Sequence, residues 1–98
     1  MGAPQEFRQR YIAFKVENDI QRAEMEGKVK DWGEMTDHFY DPWLVIFDEK
    51  TGEGLIKCEQ GQLEGLERGI MDDGGLEIRI LGLSGTIKKA RKKFLEKS

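Results

Sequence analysis

Two apolar runs at the middle of the chain are separated by a short polar turn, and this pairing constrains the fold more than any other feature. Pro42 opens the first run, Trp43-Leu44-Val45-Ile46-Phe47-Asp48, and Gly54-Leu55-Ile56-Lys57-Cys58 forms the second. Between them lies Glu49-Lys50-Thr51-Gly52, with Gly52 suited to a positive φ. Proline is tolerated where the ladder has not yet begun, so both runs read as the arms of an antiparallel hairpin. Everything else in 98 residues must pack around it.

Upstream, Tyr11 to Val16 alternates. Ile12, Phe14 and Val16 point one way, and Tyr11, Ala13 and Lys15 the other, as in a half-buried strand. From Glu17 to Asp41 the chain is polar. Ile20, Ala23, Trp32, Met35 and Phe39 have helical spacings, which predict a helix that Gly27 and Gly33 interrupt. Downstream, Gln60 to Met71 carries Leu63, Leu66 and Ile70 at helical spacing. Gly61, Gly65 and Gly69 form a small-residue row, which permits either close packing on the sheet or a loose helix. Asp72-Asp73-Gly74-Gly75 reads as a turn rather than a working carboxylate pair. Leu76 to Leu83 alternates again, with Leu76, Ile78 and Ile80 on one side and Glu77, Arg79, Leu81 and Leu83 on the other. A final helix is predicted from about Thr86 to Lys97, capped by Ser84 or Thr86, with Ile87, Ala90 and Phe94 as its apolar stripe.

The order is β-α-β-β-α-β followed by a basic helix: an α+β, ferredoxin-like or RRM-like split β-α-β with an antiparallel sheet. Residues 1–98 are expected to form a single domain, with 1–9 as a flexible N-terminal arm. No apolar run reaches the ~20 residues of a membrane span. Met1-Gly2 with Glu6 fails the myristoylation pattern, and the N-terminus lacks the apolar core of a secretory signal. A single cysteine, Cys58, excludes an internal disulfide and fits a cytoplasmic setting.

Charge is strongly segregated. Of 16 basic residues, seven lie from Arg79 onward, where Glu96 is the one acid; the first 78 positions hold nine bases against 18 acids. A net charge of −3 therefore conceals a body of −9 and a tail of +6, which points to a polyanion or an acidic partner at the tail. Lys88, Lys89, Lys92 and Lys93 fan around one side of the final helix with Arg91 near the stripe's edge. They suit phosphate neutralisation, or merely a solvated helix face complementing the dipole. Ser84-Gly85-Thr86 reads equally as a phosphate-binding helix start and as a simple cap. It is neither a Walker loop nor a nucleophile elbow. Arg8, Arg10 and Lys15 extend the basic patch if the first strand lies beside the last; otherwise they are ordinary surface charge. Tyr11 is a base-stacking candidate better explained as core. His38 has no partner at ligand spacing, so no metal and no cofactor is expected. Cys58 reads as buried packing. Trp32, Trp43, Phe39 and Tyr40 read as core, or alternatively as an anchor for a protein partner.

Three blocks then carry a family resemblance. They are Arg10-Tyr11-Ile12-Ala13-Phe14-Lys15-Val16; Pro42 to Asp48 continuing through Gly54 to Cys58; and Arg79-Ile80-Leu81-Gly82-Leu83-Ser84-Gly85-Thr86-Ile87-Lys88-Lys89, followed by Arg91-Lys92-Lys93-Phe94-Leu95. In this order the chain resembles archaeal ribonuclease P protein component 2, related to the eukaryotic Pop-five subunit. The resemblance implies a subunit of an RNA-based endonuclease that removes the 5′ leader from precursor tRNA. It implies that RNA carries the chemistry, so that the chain has no catalytic residues of its own. It also implies ribonuclease P RNA and a barrel-type protein subunit as partners, with a possible homodimer within the complex. On this reading Arg10, Arg79, Ser84, Gly85, Thr86, Lys88, Lys89, Arg91, Lys92 and Lys93 contact RNA. Trp43, Leu81, Leu83 and Phe94 would face a protein partner. The rival reading is a ferredoxin-like interaction module whose basic tail binds an acidic protein. A small metabolic enzyme is a third, weaker reading, since no acid–base pair, metal cluster or cofactor loop is legible.

Overall fold

A computed structural model of the chain describes residues 8–36 and 40–86. Its elements are β1 (Gln9–Val16), α1 (Arg22–Met35), β2 (Trp43–Phe47), β3 (Glu53–Glu59), α2 (Leu63–Met71) and β4 (Ile78–Ser84). One turn of 3-10 helix, Gln60–Gln62, leads into α2. The four strands form one sheet in the order β2-β3-β1-β4, and every neighbouring pair is antiparallel. This is the α+β split β-α-β arrangement the element order predicts. The basic C-terminal helix falls outside the described residues, as does Phe39.

β1 sits between β3 and β4, so both its edges are paired. Ile12, Phe14 and Val16 join the main core with Met25, Val29 and Trp32 of α1 and Leu66 and Ile70 of α2. Tyr11, Ala13 and Leu55 form a second buried group on the opposite face, with Val45, Ile46 and Leu81 against it. Phe14 stacks on Phe47 across the sheet, ring centroids 6.2 Å apart, a geometry worth about 0.5–1.5 kcal/mol beyond area burial.

The hairpin forms as its turn chemistry dictates. Gly52 has φ +80°, and its N–H donates to the Asp48 carbonyl at 2.8 Å while the Asp48 carboxylate accepts from the Lys50 N–H at 2.9 Å. The Gly52 carbonyl then accepts from Val16 N–H, tying the turn to the end of β1.

The structure corrects several readings of the sequence. α1 runs through Gly27 and Gly33 without a break, and its buried stripe is Met25, Val29 and Trp32, at i, i+4 and i+7. Ala23 and Met35, counted in the stripe, are exposed. The glycine row of α2 packs not on the sheet but on α1: a Cβ at Gly65 would lie 2.9 Å from Thr36, and one at Gly69 would lie 3.1 Å from the Trp32 ring. Gln9 belongs to β1, and the Arg8 carbonyl just before it accepts from Gln60 N–H, so Gln9 is part of the sheet and Arg8 is tied to the turn beyond β3. Leu76 precedes β4 instead of opening it. Finally, a bulge in β4 opposite Ala13/Phe14 breaks the alternation. Leu81 joins the second buried group, whereas Leu83 pairs with Ile12 and so takes the helix side. The two leucines do not share a face, because one extra residue inverts the parity of all that follow.

Candidate functional site

β1 and β4 are neighbours, and this brings part of the expected RNA-contact set together. Tyr11 pairs with Ser84 in the ladder, and a Cβ built on Gly85 would lie 3.6 Å from Nη1 of Arg10. The guanidinium of Arg10 donates to the Gln9 carbonyl at 2.8 Å and to Oε1 of Gln60 at 3.1 Å. Its orientation is therefore set by the 3-10 turn beyond β3. Ser84 Oγ accepts from the Thr86 N–H at 3.3 Å and donates to the Thr86 carbonyl at 3.1 Å. That closes a local turn at the end of β4, from which the lysine-rich segment continues. Arg10, Ser84, Gly85 and Thr86 thus form one small polar corner, with Gly85 and Thr86 exposed.

Arg79 stands elsewhere. It pairs with Lys15 near the opposite end of β4 and forms an exposed ion pair with Glu17 at 3.7 Å. Lys88, Lys89, Arg91, Lys92, Lys93 and Phe94 lie outside the described residues, and so does His38. Among the described residues, no three His, Cys, Asp or Glu side chains converge to hold a metal ion. No described helix is long and apolar enough to cross a membrane.

The aromatic group divides. Trp32 is core, 2% exposed, whereas Trp43 is 68% exposed on the edge strand β2 beside half-exposed Tyr40. The expected partner surface is split too, since Trp43 is separated from Leu81 and Leu83 by the two central strands, about 14 Å at ordinary strand spacing.

Two polar groups in the body do more than composition reveals. Asp73 accepts from Lys28 Nζ at 3.2 Å, from the Trp32 indole N–H at 3.2 Å and from the Gly75 N–H at 2.9 Å. Burial pushes its carboxyl up, but the Gly75 N–H, the Lys28 ammonium and the Trp32 N–H together hold it below its ordinary value. Gln62 is fully buried. Its Oε1 accepts from Glu59 N–H at 2.9 Å while its amide donates to the Tyr40 carbonyl, fixing the loop ahead of Trp43. The Glu59-x-x-Gln62 spacing is a capping-box signal that the sequence does carry. Cys58 is buried, and burial, reinforced by Glu59 and Glu67 against Arg10, pushes its thiol up to about 12. It is therefore no nucleophile at neutral pH.

The fold and this corner define a class: a small split β-α-β domain whose exposed polar groups gather at one end of the central strands, where a basic segment departs. Comparison with known proteins narrows it. The chain is 38% identical to ribonuclease P protein component 2 of Pyrococcus abyssi, the alignment covering 88% of this chain and 83% of that protein. It is 36% identical to proteins of the same name from Pyrococcus horikoshii and Pyrococcus furiosus, each over 90% of this chain and 83% of the relative. No family model matches the chain. The chain belongs to the ribonuclease P protein component 2 family.

Proposed function

We propose that this chain is a non-catalytic protein subunit of ribonuclease P that binds the enzyme's RNA and supports its removal of 5′ leaders from precursor tRNA in the cytoplasm. The observation that carries the reading is kinship over nearly the whole chain with ribonuclease P protein component 2. Charge supports it: six of the sixteen basic residues follow Thr86, in a chain whose first 78 residues are strongly acidic. Lys88, Lys89, Arg91, Lys92 and Lys93 neutralise phosphates and release counterions, giving affinity without base selectivity. Arg10, Ser84, Gly85 and Thr86 extend that contact at the end of β4. Arg79 reaches RNA only by leaving Glu17, an exchange that costs little for so exposed an ion pair.

The test is binding of the purified chain to ribonuclease P RNA across a salt series. Affinity falls as salt rises, and replacing Lys88, Lys89, Lys92 and Lys93 by Glu abolishes it and flattens the slope. Binding that survives this reversal refutes the assigned surface. Cleavage of precursor tRNA by the chain without RNA refutes the non-catalytic role.

A further inference from the structure

Arg10 is held differently from the other bonded cations of the fold. Arg22 is paired with Glu26, Lys28 with Asp73 and Arg79 with Glu17. Among the described residues the Arg10 guanidinium donates only to neutral oxygens, the Gln9 carbonyl at 2.8 Å and Gln60 Oε1 at 3.1 Å. Two of its five N–H groups are used, so its charge and three donors remain for something else. Two acids share this quarter of the fold without pairing with it: Glu59 and Glu67 act with Arg10 on the Cys58 thiol, and Glu59 accepts from the Gly61 N–H at 2.7 Å. Nor does a side chain at Gly85 cover the guanidinium, since even a Cβ there would lie 3.6 Å from Nη1.

What orients Arg10 is the turn after β3, and that turn is itself fixed. The Glu59 carboxylate and the side chain of buried Gln62 close its capping box. Its first residue, Gln60, is bound on both sides of Gln9: its N–H donates to the Arg8 carbonyl at 2.8 Å, and its side chain accepts from Arg10. A neutral amide is the apt acceptor here. It orders the guanidinium without cancelling the charge, as a carboxylate in its place would. An arginine ordered before binding has less rotamer freedom left to lose when it meets a ligand. The planar fork so presented matches the oxygens of a phosphate. The position suits one, because Lys88 and the lysine-rich segment begin three residues beyond Gly85.

We propose that Gln60 is a positioning residue for RNA: it holds the Arg10 guanidinium over Gly85, where the remaining donors grip one backbone phosphate. The inference rests on the reading of the chain as an RNA-binding subunit and adds a division of labour to it. The lysines supply affinity as separate point charges, whereas Arg10, held in one orientation, fixes where the RNA backbone meets the end of the sheet.

A double-mutant cycle on the full chain is the test, read as affinity for the same organism's ribonuclease P RNA across a salt series. Arg10→Ala removes the phosphate contact, so it weakens binding about tenfold and lowers the salt slope by about one. Gln60→Met keeps the stem and removes the acceptor. It weakens binding about threefold and leaves the slope unchanged, because the charge is still present but no longer ordered. In the Arg10→Ala background Gln60→Met costs nothing more, since no guanidinium remains to be placed. Both single variants melt within a few degrees of the parent. Full affinity of Gln60→Met overturns the proposal. So does the same loss in both backgrounds, which makes Gln60 a structural residue of the turn, and so does an unchanged slope in Arg10→Ala, which takes Arg10 off the phosphate. In these three cases the parent still binds RNA and the subunit reading stands; a parent chain that binds no RNA loses both.

Discussion

Asp73 is where α1 is fastened to the loop after α2, and removing it tests the account of the helical layer. Asp73→Ala leaves three donors without their acceptor. The Trp32 indole N–H is the costly one, because its residue is 2% exposed and an orphaned buried donor costs about 1–3 kcal/mol. The Lys28 ion pair, with the lysine one-third exposed, adds about 0.5 kcal/mol after screening. The Gly75 N–H is exposed and turns to water. The total is about 2–3 kcal/mol, which in a domain this size lowers the melting temperature by about 10–20 °C. Asp73→Asn keeps a carbonyl for the indole and loses only the charge, so its fall is a few degrees. A double-mutant cycle with Trp32→Phe isolates the indole bond: Asp73→Ala costs less where there is no N–H to orphan. The pH dependence has a definite sign. The folded pKa of Asp73 is lowered from 3.8, so the charge contributes fully above 3.8 and is lost as pH falls through the folded value. The gap between the parent and Asp73→Asn therefore closes in acid. Thermal melts of the three variants from neutral pH downward decide the matter. Equal losses for Asp73→Ala and Asp73→Asn, or no coupling with Trp32→Phe, would refute the reasoning.

Three further outcomes are expected. Gly27→Ala stabilises the chain by about 0.5–1 kcal/mol, since a Cβ there meets nothing within 4 Å on an exposed helix; a lower melting temperature would contradict it. Gly54→Ala destabilises by about 1–3 kcal/mol, because the new Cβ runs into the Phe14 ring and the Ile46 carbonyl. A denaturant midpoint within error of the parent would show that β2 and β3 are not packed as described. Cys58, with its thiol near 12, has roughly one thiolate per ten thousand molecules at pH 8. Iodoacetamide therefore labels it far more slowly in the folded protein than in urea, and similar rates would show that the sheet does not bury it.

The parts of the fold legible in advance are those governed by local chemistry. The Asp48–Gly52 turn, the alternation of β1 and the Leu66/Ile70 stripe follow from turn residues and periodicity alone. The failures trace to tertiary causes. For α1, spacing alone admits several faces, so that Ile20, Ala23, Trp32, Met35 and Phe39 read as one stripe of which α1 buries Trp32 but not Ala23 or Met35; which face turns inward is decided by α2, whose glycines let Trp32 and Thr36 approach. The parity of β4 was lost at a single bulge, and Gly82, an interior strand glycine, was the signal available there.

The candidate sites follow the same division. The basic segment is visible in the sequence because charge needs no fold to be counted, and the corner of Arg10 with Ser84-Gly85-Thr86 required only that the first and last strands be neighbours. For Trp43 the sequence admits two places, core or partner anchor, because Trp43-Leu44-Val45-Ile46-Phe47 is a continuous apolar run and such a run announces burial on both faces. What exposes its first residue is topology. In the order β2-β3-β1-β4 the first arm of the hairpin has one neighbour instead of two. The pleat sends Leu44 and Phe47 under the helices and turns Trp43 to the other side with Lys57. An aromatic at that position stays in water unless something outside the described fold covers it. The apolarity that made β2 easy to recognise as a strand is, at its first residue, not used by the core of the described fold.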